Sequence, residues 1–170
     1  DIYSLAVFNG KLYGGTAPDG CLFEWNGVDS WIQVAPQLGS QTDIRSLAVF
    51  NGKLYGGTAP GGCLFEWNGV DSWIQVAPQL NSQTHIRSLA VFNGKLYGGT
   101  YPNGCLFEWN GVDSWIQVAP QLNSQTHIRS LAVFNGKLYG GTAPGGCLFE
   151  WNGEDSWIQV APQLNSQTHI

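Results

Sequence analysis

Histidine and arginine recur two residues apart in this sequence, and they are its clearest candidates for binding chemistry. The residues concerned, with the aspartate that replaces the first histidine, are Asp43, His85, Arg87, His127, Arg129 and His169. No second ligand stands at metal-binding spacing from the histidines, so the pattern does not predict a metal site. Two interpretations stay open: one ligand contact per repeat, or solvent-facing residues of a connecting loop.

Four cysteines also recur at equal spacing, at Cys21, Cys63, Cys105 and Cys147. A disulfide needs Cα atoms within about 7 Å, which separate structural units would not provide. We therefore interpret each cysteine as a small apolar residue at the start of a strand. Free thiols are typical of a reducing compartment, so we expect a cytoplasmic location.

The carboxylates do not form a catalytic pair. Hydrolysis of a glycoside needs two particular carboxylates across one cleft, whereas the glutamate of the LFEW segment and the aspartate before Ser-Trp each occur four times. We expect the aspartate to bond its own backbone in the turn, and the glutamate either to pair with a lysine such as Lys53 or to be exposed at an edge. No nucleophile elbow, phosphate-binding loop or HExxH motif is present. The sequence predicts a non-enzymatic protein without cofactor or metal.

These residues recur because the whole chain is a repeat of period 42, and each copy contains SLAVFNGKLYGGT, beginning at Ser4, Ser46, Ser88 and Ser130. Four periods fill the 170 residues. The positions that depart from the repeat are Tyr3, Asp19, Gly39, Asp43, Tyr101, Asn103 and Glu154. Such near identity indicates recent amplification or an engineered, designed protein.

One repeat reads as four short strands without a helical apolar stripe. In the second repeat the predicted strands are Ser46–Phe50, Lys53–Tyr55, Cys63–Trp67 and Trp73–Ala77. Asn51-Gly52 predicts a hairpin turn, and Gly56-Gly57 is expected to end the second strand. Apolar residues on both faces indicate a sheet covered on both sides, as in a propeller blade.

We therefore predict an all-β chain, a β-propeller of four-stranded antiparallel blades. Residues 1–170 form one domain, with blades at about 1–44, 45–86, 87–128 and 129–170. The tryptophans are expected in the packing between blades rather than in sugar sites.

The arrangement resembles the kelch repeat. The matching residues of the first copy are Leu12-Tyr13-Gly14-Gly15, Phe23, Trp25 and Trp31, and they recur in each later copy. The unit is shorter than a kelch repeat, and four blades are fewer than the six or seven that kelch proteins commonly have. The resemblance implies a rigid scaffold that binds proteins or other ligands through its loops.

The end blades determine the expected assembly. An open row of blades would expose more apolar surface than soluble monomers usually do. The sequence allows two forms of closure. One chain can close as a four-bladed monomer, or two chains can close into an eight-bladed ring, and we favour the homodimer.

Composition excludes other partners. Charged residues are 11% of the chain and the net charge is −5, so no basic stripe is available for nucleic acid. No apolar run approaches the length that spans a membrane. The sequence begins at Asp1 without a basic leader, so we expect no signal peptide.

Most departures from the repeat map to one predicted face of the blades, formed by the turn after the second strand and by the linker between blades. Asp19, Tyr101 and Asn103 lie in that turn, and Tyr101 is expected to be exposed. Together with the histidines and arginines above, they are the candidate ligand-binding residues. We expect a symmetric binding scaffold, either without an evolved ligand or with a protein ligand. The alternative is a lectin with one glycan site per blade.

Overall fold

A computed structural model describes residues 1–170, and it contains sixteen strands and no helix. Blade 1 comprises β1 Ile2–Phe8, β2 Lys11–Thr16, β3 Leu22–Trp25 and β4 Trp31–Ala35; blade 2 comprises β5 Asp43–Phe50, β6 Lys53–Ala59, β7 Leu64–Trp67 and β8 Trp73–Ala77. Blade 3 comprises β9 His85–Phe92, β10 Lys95–Tyr101, β11 Leu106–Trp109 and β12 Trp115–Ala119; blade 4 comprises β13 His127–Phe134, β14 Lys137–Ala143, β15 Leu148–Trp151 and β16 Trp157–Ala161. Each blade is a separate sheet with its strands in chain order. The predicted all-β fold of four antiparallel four-stranded sheets is confirmed.

The Asn-Gly pair forms the first turn of each blade, as predicted. In blade 2, Asn51 has a φ of 48° and Gly52 a φ of 73°, and Phe50 pairs with Lys53 across the turn. Positive φ at both central positions is the type I′ geometry that joins twisted strands.

The second strand does not end at the double glycine, contrary to the sequence prediction. In blade 2 it continues through Gly56 and Gly57 to Ala59. A Cβ on Gly57 would lie 2.6 Å from both Ile86 Cγ2 and Ser46 Oγ. The glycines therefore serve close packing over a continuous strand, and not a break.

The first and third strands also begin at other residues than predicted. The first strand of blade 2 starts at Asp43, which pairs with Ala59, and an irregularity in register follows Ile44. The third strand starts after Cys63, whose backbone N–H donates to Thr58 Oγ1 at 3.1 Å. The segment read as a linker thus contributes its last residues to the next sheet.

The residues cluster into two compact units, 1–86 and 87–170. In the first unit, one core joins Leu22 and Leu38 of blade 1 to Ile44 and Leu54 of blade 2. Trp67 lies 5.0 Å from Tyr13, measured between ring centroids. In the second unit, Trp151 lies 5.1 Å from Tyr97 in the same way. Trp67 and Trp151 are therefore packing residues, as predicted.

We call the side of a blade that packs on the following blade its forward face, and the side that packs on the preceding blade its rear face. Phe8, Tyr13 and Leu38 belong to the forward face of blade 1, and Ile44, Leu47 and Trp67 to the rear face of blade 2. No helix in the structure has the length and apolarity required to cross a membrane.

Candidate functional site

Aromatic and charged side chains meet where the first strand of blade 2 begins. The guanidinium carbon of Arg45 lies 4.3 Å from the centroid of the Tyr3 ring. Arg45 also forms an ion pair with Asp43, which is buried. A cavity of about 300 Å³ adjoins them and is lined by Asp1, Tyr3, Ala17, Pro18, Asp43 and Arg45. In this unit the arginine is already neutralised by a carboxylate of its own strand.

The corresponding region of residues 87–170 is built differently. The Tyr101 ring stacks on the His127 imidazole, with centroids 4.2 Å apart and planes 22° apart. The guanidinium carbon of Arg87 lies 5.5 Å from the Tyr101 centroid. Tyr101 was expected to be exposed, but it is half-buried because this stack covers one side of its ring.

The surroundings of His127 disfavour a protonated ring. Burial lowers its pKa to about 4, and the positive charges of Arg87 and Arg129 add to this effect. A hydrogen bond to the backbone of Ala143 opposes the shift. The Nδ1 atom lies 2.7 Å from Thr126 Oγ1. At neutral pH His127 is therefore uncharged, at the repeat position that Asp43 occupies in blade 2.

The other predicted residues are less clustered. Asp19, Arg129 and His169 are exposed, while Asn103 and His85 are half-buried. The Nδ1 atom of His85 lies 2.7 Å from Thr84 Oγ1, the arrangement that His127 repeats. The structure thus brings Tyr101, Arg87 and His127 together.

Two polar residues of this region were missed by the sequence reasoning. Arg45 was not among the candidates, although it occupies the repeat position of Arg87 and Arg129. The buried Gln41 accepts hydrogen bonds through Oε1 from Thr58 Oγ1 at 3.0 Å and from the Gly61 backbone N–H at 2.8 Å. Gln41 therefore fixes the linker against the loop after the second strand.

The glutamate of each third strand has a structural role at the opposite end of the blade. In blade 2, Lys53 Nζ lies 2.8 Å from Glu66 Oε1, and the Tyr55 hydroxyl donates to Glu66 Oε2 at 3.0 Å. The predicted lysine–glutamate pair is confirmed. In blade 1, burial and the hydrogen bond to Glu24 raise the pKa of Tyr13 to about 12.

The turn after the third strand is organised by asparagine rather than by the predicted aspartate. Asn26 Oδ1 accepts from the backbone N–H groups of Val28, Asp29 and Ser30, at 2.9 to 3.1 Å. Its Nδ2 donates to Asp29 Oδ1 at 3.1 Å. Because the asparagine precedes the turn, its amide can satisfy three donors at once, and the aspartate only accepts from it.

All four cysteines are free thiols. Cys63 and Cys105 are buried, and burial raises the pKa of each. Cys21 and Cys147 are half-buried. No group of three or more histidine, cysteine or carboxylate side chains is placed to hold a metal ion.

A second concavity, of about 450 Å³, lies in residues 87–170 near the first turns of blades 3 and 4. Aromatic side chains, amides and lysines line it, among them Phe92, Asn93, Lys95, Lys137, Trp151 and Asn152. The Lys137 ammonium is engaged with Glu150 at 2.7 Å. Its volume is within the range of small-molecule sites.

Apolar side chains are exposed on the rear face of blade 1 and on the forward face of blade 4. On the rear face of blade 1, Leu5 is 57% exposed, whereas the equivalent Leu47 of blade 2 is 8% exposed. On the forward face of blade 4, Leu164 is 54% exposed, whereas Leu38 is 1% exposed. The same apolar residues are therefore core at one blade and surface at another.

Comparisons with known proteins bear on the fold. No protein-family model matches the chain, and no curated protein matches it significantly. Among solved structures, an inactive virginiamycin B lyase variant from Staphylococcus aureus, solved with quinupristin, aligns over 98% of this chain with a TM-score of 0.79 and 8% identity. YjhT aligns over 98% with a TM-score of 0.70 and 13% identity. A YCF48 structure with a bound D1 peptide aligns over 95% with a TM-score of 0.64 and 16% identity.

The fold is a β-propeller. At these identities the likeness extends to the fold alone, and it does not single out kelch proteins. The chain covers 57%, 66% and 53% of the lyase, YjhT and YCF48 chains, respectively, so it corresponds to part of each propeller.

Proposed function

We propose that this chain is a non-catalytic β-propeller scaffold that a second copy completes, giving an eight-bladed ring with binding loops repeated around it. The observation that carries the proposal is the pair of uncovered apolar faces on blades 1 and 4. Their side chains are core residues wherever a neighbouring blade is present.

A second copy is the partner whose surface matches both faces. Because the blades are nearly identical, the forward face of blade 4 has the chemistry of the face on blade 1 that packs on blade 2. The Tyr13–Trp67 contact of 5.0 Å would recur between Tyr139 and Trp25 of the second copy. Head-to-tail pairing at both ends closes the ring without any new type of contact.

The similar propellers support this reading, since each is longer than this chain. The absence of catalysis is supported by the structural use of the glutamates in ion pairs with lysine. The resemblance to kelch blades, and an amplified or designed origin, rest on the repeated Tyr-Gly-Gly segment and on the near identity of the copies.

Native mass in solution tests the assembly. Light scattering after gel filtration is expected to give twice the chain mass of 18.5 kDa. Leu164→Glu should convert the dimer to single chains, because a charge would replace an apolar contact. Val70→Glu is the matched control, since this turn residue is 72% exposed and blade 4 already has Glu154 there. A mass of one chain for the unmodified protein would instead support the four-bladed monomer.

A multivalent lectin is the second candidate, and the concavity of about 450 Å³ beside Phe92 and Trp151 favours it. Aromatic walls with nearby amides suit sugar rings, and repetition would raise avidity on glycan surfaces. A glycan array with the assembled protein tests this role. Loss of glycan binding in Lys95→Gln, whose exposed side chain lines the concavity, would support the concavity. Loss on replacing the His85 and Arg87 set would point to the linker loops.

A further inference from the structure

We propose that Arg129 binds an external carboxylate, in the place where Asp43 supplies an internal one to Arg45. This inference deepens the binding role proposed above, because it names a ligand class for the linker loops. It is argued from residues 87–170 of one chain.

Blade 2 shows the occupied form of the site. There, Asp43 and Arg45 stand two residues apart at the start of the first strand and form an ion pair. The side chains are largely withdrawn from water, with 17% of Arg45 and 10% of Asp43 exposed. A guanidinium offers paired donors that match the two oxygens of a carboxylate.

Blade 4 has the same backbone and the same arginine without the carboxylate. His127 replaces Asp43, Arg129 replaces Arg45, and both first strands carry the irregularity in register before the third residue. Arg129 is exposed and has no ion pair. The site therefore keeps its cation and lacks its anion.

No carboxylate side chain of the same unit forms an ion pair with Arg129. Glu108 and Glu150 are engaged with Lys95 and Lys137 near the opposite end of their blades. The remaining acids, Asp113, Glu154 and Asp155, lie in the turns that follow the third strands. The field around His127 is instead positive, since Arg87 and Arg129 both act on it.

The stack of Tyr101 on His127 distinguishes this region from blade 2. It holds the imidazole plane, and the contact with Thr126 occupies Nδ1. The histidine therefore acts as an uncharged replacement for the aspartate, while the guanidinium of Arg129 provides the binding group.

The experiment is a titration of the protein with succinate, observed through the Arg129 Nε–Hε signal by NMR at constant ionic strength. We expect a saturable shift that chloride does not produce. His127→Asp should weaken succinate binding at least tenfold, because it supplies the internal partner of blade 2. Arg129→Gln should abolish binding, measured by isothermal titration calorimetry because this variant has no Arg129 signal.

Asp43→His is the reciprocal variant, and it should give Arg45 a response to succinate that the unmodified protein lacks. His127→Asp and Asp43→His each introduce a residue that another copy of the repeat already has at that position, so the fold should tolerate both. Unchanged binding in His127→Asp, or a response to succinate no larger than to chloride, would overturn the proposal. Native mass is measured separately, so a failed succinate titration would not bear on the assembly proposal.

Discussion

Leu164 offers a quantitative test of ring closure. Its equivalents Leu38, Leu80 and Leu122 are at most 2% exposed, whereas Leu164 is 54% exposed in one chain. If a second copy covers it, Leu164→Ala removes a contact made only in the assembly. If no second copy binds, the same substitution changes a half-exposed side chain and costs little.

The magnitude follows from the area still to be buried. Full burial of a leucine side chain is worth about 1.5–3 kcal/mol, so covering the exposed half contributes about 1 kcal/mol, and a residual cavity adds to the cost. We therefore expect about 1–2 kcal/mol at each junction. A ring of two chains has two such junctions, which gives about 2–4 kcal/mol. At about 1.4 kcal/mol per factor of ten, the dissociation constant rises roughly 30- to 1,000-fold.

Sedimentation velocity over a dilution series measures this change directly. Leu38→Ala is the matched control, because it should lower the free energy of unfolding by about 2–5 kcal/mol while leaving the junctions between chains intact. A Leu164→Ala variant that dissociates at the same concentration as the unmodified protein would refute the reasoning.

Three further predictions concern the packing of a glycine, the protonation of a histidine and the reactivity of a cysteine. Gly57→Ala should lower the free energy of unfolding in urea by about 1–3 kcal/mol, because its methyl group meets Ile86; an unchanged midpoint would contradict this packing. His127 should titrate near pH 4 by NMR. Because its folded pKa is lowered from 6.5, its contribution to stability is present above pH 6.5 and is lost as the pH falls towards 4. A titration midpoint near 6.5 would be inconsistent with this environment. In dissociated chains, Cys21 should react with maleimide faster than the buried Cys63. In the ring, Cys21 should react as slowly as Cys63. Fast labelling of Cys21 in the intact dimer would argue against coverage of the rear face of blade 1.

Local chemistry explains why the sequence was sufficient for the blades. An Asn-Gly pair between two apolar runs commonly forms a hairpin turn, and Asn51-Gly52 forms one in the structure. Gly56-Gly57 was ambiguous, because a glycine pair can end a strand or allow another chain segment to approach closely. That choice depends on Ile86, which is distant along the chain and next to Gly57 in space.

The candidate site was less accessible to sequence reasoning. The repeat correctly separated Asp43 and Tyr101 as positions of change, but it could not place the Tyr101 ring on the His127 imidazole, since that contact joins two blades. Arg45 was overlooked because the candidate arginines were those that follow a histidine by two residues, and Asp43 stands in that place. Its meaning depends on the neighbour two residues earlier, where aspartate gives an ion pair and histidine does not.

The double glycine and the isoleucine that packs on it also bear on how such proteins change in evolution. In the first unit the apolar core between the blades is made by residues of the common repeat, so no core residue specifies how many blades follow. Adding or deleting a whole period of 42 residues would recreate each junction with its contacts. Blade number would then be selected by the angle at which successive sheets pack, and a gene encoding fewer repeats could still reach the same circumference through a different number of chains.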